Sequence, residues 1–184
     1  MLTPLAAGAL AFALFVLFDL CKAYTRARRP GLLFAAGGLL LAGAAARLFF
    51  PPAPGWTALR ALSAAWAAAW LLLLVYVLFF ALPAGDVYGA AAPPAVCDRG
   101  AYALCRHPGF WCFLFCALGL WLAAGTPRMG AGALVFSGLD LAYVAAQDRW
   151  LFPKYLAGYA GYQQSTPFLF PNRRSAARCF GRTL

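Results

Sequence analysis

What most restricts this chain is a succession of five long apolar runs separated by polar connections. They extend over Pro4 to Tyr24, Gly31 to Phe50, Thr57 to Leu82, Pro108 to Ala124 and Gly130 to Phe152. A helix that crosses the hydrocarbon core of a bilayer needs about 20 mostly apolar residues, within a range of about 17 to 25. In that medium every backbone N–H and C=O must find its partner within the segment, which a helix achieves by itself. The sequence therefore predicts an all-α fold, a polytopic transmembrane helical bundle of about five spans. The last two runs are joined by the turn-forming stretch Gly125-Thr-Pro-Arg-Met-Gly130 and read as a C-terminal helical hairpin.

Composition supports the same medium. Only 11% of the residues are charged, against about 25% in an ordinary soluble domain. Five Asp, no Glu and fifteen Lys or Arg cannot cover the surface of a water-soluble core. The formal net charge of +10 does not point to nucleic acid, because the basic residues fall between and after apolar runs and do not line one face of a soluble element.

Those basic residues instead predict orientation, since cytoplasmic loops carry the excess of Lys and Arg. Lys22, Arg26, Arg28, Arg29, Arg99, Arg106, Arg149, Lys154, Arg173, Arg174, Arg178 and Arg182 fall on one side, and Arg47, Arg60 and Arg128 on the other. A multi-pass protein with its N-terminus outside and its C-terminus in the cytoplasm is expected. In the first run the positive charges follow the apolar stretch, the order of a retained helix and not of a cleaved signal. Arg174, Arg178 and Arg182 recur every four positions, a helical face suited to membrane lipids.

Two regions follow. Residues 1–82 form three N-terminal transmembrane helices, and residues 83–184 supply a loop, the hairpin and a tail. The connection from Pro83 to His107 contains Pro83, Gly85, Asp86, Pro93, Pro94, Asp98 and Gly100 and is the longest polar one. Long connections inside compact folds tend to be functional.

The residues able to do chemistry lie at the ends of the hairpin. Gly100-Ala-Tyr102-Ala-Leu-Cys-Arg106-His107-Pro108 precedes the fourth run, and Gln147-Asp148-Arg149-Trp150-Leu151 closes the fifth. Tyr155, Tyr159, Tyr162, Thr166, Pro167 and Pro171 come after it. An antiparallel hairpin would bring Arg106, His107 and Asp148 into one pocket. Pro108 suits the first turn of a helix, where a missing N–H costs nothing. N–H groups at that start, with Arg106, can receive a carboxylate. Asp148 can hold an ammonium, and Tyr102, Tyr155, Tyr159 and Tyr162 offer faces to a planar ring. A carboxylate, an ammonium and an aromatic base are the handles of S-adenosylmethionine.

Plainer roles are available for the same side chains. His107 can simply cap the helix, and Asp148 can pair with Arg106 or Arg149. Asp19, near the end of the first run, can reach the interface and Lys22. Asp140 lies inside the fifth run, where a carboxylate is a functional candidate, or else bonds a neighbouring helix. Cys112 and Cys116, one turn apart, fit helix packing better than metal binding. With no paired C-x-x-C among Cys21, Cys97, Cys105, Cys112, Cys116 and Cys179, no metal site is predicted.

Over residues 95 to 171 the chain resembles the membrane methyltransferases that include isoprenylcysteine carboxyl methyltransferase and the phospholipid methyltransferases. That family carries Gly-x-Tyr-x-x-x-Arg-His-Pro, a paired acidic motif about forty residues later, and a Tyr-x-x-Tyr segment leading to Thr-Pro and a final Pro. Gly100, Tyr102, Arg106, His107 and Pro108 match the first, and Tyr159, Tyr162, Thr166, Pro167 and Pro171 the last. In place of the family's Glu-Glu stands Gln147-Asp148. The resemblance implies methyl transfer from S-adenosylmethionine to a lipophilic acceptor that enters from the bilayer: an isoprenylcysteine carboxylate, a phospholipid or another small lipophile. It implies Arg106, His107 and Asp148 as catalytic residues. Gly100, Tyr102, Arg106, His107, Pro108, Gln147, Asp148, Tyr155 and Tyr159 are its cofactor-binding residues. Two alternatives stand beside it: a non-catalytic membrane protein that keeps the fold, motivated by Gln147-Asp148, and an NADPH-dependent membrane reductase, since sterol reductases have similar C-terminal helices. Oligomeric state has no sequence signal.

Overall fold

The computed structural model describes residues 3–25, 31–81 and 96–180. Arg26, Arg28, Arg29, Pro83, Gly85, Asp86, Pro93, Pro94 and Arg182, named above, lie outside the described residues. The helices are α1 (Pro4–Tyr24), α2 (Gly31–Phe49), α3 (Ala58–Phe79), α4 (Ala101–Leu104), α5 (Pro108–Ala124) and α6 (Pro127–Ala146). A π-helical turn at Gln147–Leu151 leads on to α7 (Phe152–Tyr155), α8 (Tyr159–Ser165) and α9 (Arg173–Cys179). Among the described residues there is no β-strand.

Four continuous helical segments, Pro4–Tyr24, Gly31–Phe49, Ala58–Phe79 and Pro127–Tyr155, are long and apolar enough to cross a membrane, and Pro108–Ala124 is a shorter apolar helix. Their outward faces carry large apolar side chains such as Leu39, Leu62, Leu72 and Leu134, all more than 60% exposed. Apolar surface on that scale is unsuited to water. The four or five apolar helices mark a multi-pass membrane protein.

The helix boundaries have local causes. Thr3 and Thr57 cap α1 and α3, each hydroxyl accepting the N–H three residues on, from Ala6 at 3.2 Å and Arg60 at 3.3 Å. In the hairpin, Gly125 ends α5 in the left-handed conformation at φ 65°, and Pro127 already occupies the first turn of α6. A glycine just after one helix and a proline just inside the next compress the connection to Gly125-Thr126. The expected six-residue turn is therefore mostly helix, and α6 starts three residues before Gly130.

At the other end of α6 stands Phe152-Pro153, and a proline inside a helix ordinarily breaks it, yet the chain stays helical through Tyr155. The ladder widens instead: the Phe152 N–H reaches back to the carbonyl of Gln147, and Pro153 contributes no N–H. The Asp148 carbonyl is thereby left without a helical donor, and the Gln163 side-chain amide supplies one at 2.8 Å.

Close approach at small residues holds the long helices together, as expected where lipid removes the hydrophobic incentive for helices to associate. A Cβ on Gly119 of α5 would stand 3.0 Å from the Ala67 backbone nitrogen of α3. A Cβ on Gly37 of α2 would stand 3.0 Å from the Ala11 carbonyl oxygen of α1. One core cluster, including Phe12, Phe15, Leu48, Met129 and Phe136, joins α1, α2, α5 and α6. A smaller one, Phe110, Val144 and Leu169, lies toward the His107 end.

Two arginines first read as loop charges are internal clamps. Arg60 donates from Nε to Ala123 O at 2.8 Å and from Nη2 to Ala124 O at 2.9 Å. Its Nη1 reaches Ala53 O at 2.7 Å and Gly55 O at 2.6 Å. Arg128 donates from Nε to Leu48 O at 3.1 Å and from Nη2 to Pro51 O. Ala123, Ala124 and Leu48 stand in the last turns of α5 and α2, where a cation suits the helix dipole.

Candidate functional site

The site lies where the start of α5 meets the π-turn and the returning C-terminal segment. Gly100, at φ 56°, turns the chain into α4, and Cys105 leaves that helix in extended conformation. Residues 106 and 107 then run beside the Thr166–Leu169 segment, with Arg106 N–H donating to Pro167 O at 2.9 Å and His107 N–H to Phe168 O at 3.4 Å. These two amides, expected to face an anion, are therefore engaged within the chain.

Arg106 is the hub. It grips Asp148 with two parallel bonds, Nε to Oδ1 at 2.7 Å and Nη2 to Oδ2 at 2.8 Å. Its Nη1 donates to the carbonyls of Gln163 at 3.0 Å and of Thr166. The ion-paired side chains are only 9% and 10% exposed. The Tyr159 hydroxyl donates to Asp148 Oδ1 at 2.6 Å. Burial, and then the bond to Asp148, hold the Tyr159 phenol above its ordinary range, so it remains a protonated donor.

His107 is the N-terminal cap residue of α5 by position, but its side chain makes no capping bond. The imidazole stacks on Phe152 at 5.7 Å between centroids and meets the edge-on ring of Phe168 at 5.2 Å. Its Nε2 lies 3.5 Å from Asp148 Oδ1, yet it is buried and has no hydrogen-bond partner. Burial pushes the imidazole below its ordinary pKa of 6.5, against the pull of Asp148, so the ring is neutral at physiological pH. Beside it the buried Cys105 thiol is pushed up to about 11 by desolvation and stays protonated.

Not every expected site residue converges here. The Gln147 amide donates to Asp19 Oδ2 at 2.8 Å and the Tyr155 hydroxyl to Asp19 Oδ1 at 2.9 Å. Tyr143 adds a third donor to that carboxylate, at 2.6 Å. Asp19 is 1% exposed, which corrects the expectation that it reaches the interface. The Gln147-Asp148 pair thus divides its side chains between two clusters, one facing α1 and one facing Arg106. A glutamate at 147 would set a second carboxylate against Asp19, so the amide answers a local demand. Tyr102 braces α4, its hydroxyl donating to Val77 O at 3.2 Å and its carbonyl accepting from Tyr162 at 2.6 Å. Pro108 is buried in the first turn of α5, and Gly100 is exposed at the turn.

Gln163 and Phe168 belong to this site and were not singled out in the sequence; only their place within the Tyr-to-Pro segment hinted at them. Arg106 and Asp148 are engaged with each other and with the backbone. The group left with spare hydrogen-bonding capacity is His107 Nε2. No protein-family model, curated protein or solved structure matches this chain.

Proposed function

We propose that the chain is a membrane methyltransferase that uses S-adenosylmethionine to modify a lipophilic acceptor, with the N-terminus outside and the site at the cytoplasmic face. The observation that carries this reading is a neutral histidine with a buried, unpartnered Nε2, held beside an arginine–aspartate pair that joins two motifs 42 positions apart. The order and spacing of those motifs are the ones that resemble the methyltransferase family.

S-adenosylmethionine, when bound, would supply an electrophilic methyl group on its sulfonium. His107 would contact the cofactor or take a proton from a protonated nucleophile, and a carboxylate acceptor would need no such base. Phe152, Phe168 and Tyr159 furnish aromatic walls, and Arg106, Asp148 and Tyr159 position the imidazole. The fit is partial. Arg106 was assigned the cofactor's carboxylate, but its Nε, Nη1 and Nη2 are already engaged, so it acts as a positioning residue.

The test is incubation of the detergent-purified protein with cofactor carrying a deuterated methyl group and a total lipid extract, followed by mass spectrometry. A labelled lipid that disappears in His107→Gln supports the proposal. Thermal stabilisation by NADPH but not by S-adenosylmethionine would replace it with the reductase reading. The internal satisfaction of Arg106 and Asp148 favours a second reading, a non-catalytic protein that keeps this architecture. Absence of both labelled product and cofactor-dependent stabilisation in well-folded protein would select it.

A further inference from the structure

Of the two described carboxylates to which neither cluster gives a role, Asp98 is exposed and Asp140 lies within a long apolar helix. It lies 13 positions after Pro127 in a helical segment that runs to Tyr155, hence about 20 Å along the axis from either end. Its place on α6 is inward. The residues three, four and seven positions away on the same face are Ala133, Phe136, Ser137 and Val144, all buried, with Tyr143 and Gln147 bonded to Asp19. The opposite face, with Leu134, Val135, Gly138 and Leu141, is exposed.

An inward carboxylate at this depth should be covered and bonded. Asp140 is only partly covered and has no hydrogen bond or ion pair among the described residues. One turn away, Ser137 is 8% exposed, and its buried hydroxyl oxygen also has no partner. Residues three apart on a helix are neighbours, so two unanswered polar groups lie side by side. Leu139 and Tyr143, on either side of Asp140, pack against the larger core cluster, so the two polar groups are set among apolar side chains.

We propose that this carboxylate–hydroxyl pair is a binding site for an ammonium group carried on a hydrocarbon chain. A carboxylate and an ammonium form a pair that is neutral overall, whichever partner holds the proton, and only a neutral pair is tolerable this deep in hydrocarbon. An anionic headgroup is excluded by like charge. A hard divalent cation takes six or more oxygen ligands, whereas no group of three His, Cys, Asp or Glu suited to a metal occurs among the described residues. The Ser137 hydroxyl accepts a second ammonium hydrogen. The ligand's chain follows the apolar wall of the bundle and leaves into the bilayer. None of this depends on methyl transfer.

The test uses dodecylamine and dodecanol as matched probes, added to the protein in lipid nanodiscs, with thermal unfolding as the readout. Dodecylamine should raise the unfolding temperature saturably, and dodecanol should not. In Asp140→Asn the half-saturating amine concentration should rise at least ten-fold, and in Ser137→Ala by a smaller factor. Asp140→Leu should abolish the amine response while unfolding no earlier than wild type without ligand, because it replaces an unanswered carboxylate by an apolar side chain of similar size. That variant separates lost binding from a damaged fold. Equal responses to amine and alcohol, a response unchanged in Asp140→Asn and Asp140→Leu, or no response in the wild-type protein would overturn the proposal.

Discussion

Removing Asp148 should cost this protein far more than a surface ion pair would. In Asp148→Ala the Arg106 guanidinium loses both carboxylate bonds, at 2.7 and 2.8 Å, and Tyr159 loses its acceptor. The guanidinium cannot turn to solvent, because Nη1 stays anchored to the carbonyls of Gln163 and Thr166 and the side chain is 9% exposed. Breaking a buried pair from one side costs about 3 to 5 kcal/mol, against about 0 to 1 for an exposed pair. At about 1.4 kcal/mol per factor of ten, that is roughly a hundred-fold to several-thousand-fold in the unfolding equilibrium. Arg106→Met should cost a similar amount through the buried carboxylate and the two carbonyls it abandons. The double variant should be less damaged than the sum by about 2 to 3 kcal/mol, the upper part of the range for contacting residues. Unfolding in mixed micelles, followed by tryptophan fluorescence, measures all four corners of the cycle. An Asp148→Ala cost under about 1 kcal/mol, or strict additivity, would refute the assignment of a buried coupled pair.

Three more outcomes follow from the same geometry. His107 has its folded-state pKa below the unfolded value of 6.5, so the unfolded chain binds the extra proton first as pH falls. The stability tied to its neutral form is complete above pH 6.5 and is lost below it; unfolding temperatures across that range should fall in wild type and fall less in His107→Phe, and equal slopes would contradict the burial argument. Gln147→Glu places a carboxylate against Asp19 and removes a 2.8 Å bond, so it should destabilise by about 1 to 3 kcal/mol, while Gln147→Met, which only removes the donor, should cost less; the reverse order in chemical unfolding would sink the two-cluster description. Arg60→Met takes a donor from the carbonyls of Ala123, Ala124, Ala53 and Gly55, of which Ala124 keeps the Ala53 N–H, and a loss of about 3 kcal/mol or more is expected; a loss too small to measure would show that the clamp does not hold the α5 end.

The long helices were legible because their signal is local. Apolar length set the start and end of α1 and of α5, and Pro108 marked the start of α5 by the chemistry of its own ring. The π-turn was not legible in the same way. Pro153 announced a stop, but whether a helix stops or widens depends on who satisfies the freed Asp148 carbonyl, and that is Gln163, beyond a chain reversal. Arg60 and Arg128 show the same limit: their partners lie as far as 64 and 80 positions away, and nothing in the spacing of a lone arginine distinguishes a clamp from a loop charge. In the candidate site the joining of Arg106 to Asp148 followed from the hairpin alone. The diversion of Gln147 and Tyr155 to Asp19 did not, because it required a carboxylate on α1 more than 120 positions earlier.

The π-turn hangs two otherwise separate assemblies from neighbouring residues, with α1 tied to Gln147 and the C-terminal segment tied to Asp148 through Arg106. Any twist of that single turn about its axis pulls on both moorings together. The first helix and the Arg106–Asp148 pair are therefore geared to each other through that turn, since the bonds to Asp19 come from Tyr143, Gln147 and Tyr155 and those to Asp148 from Arg106 and Tyr159.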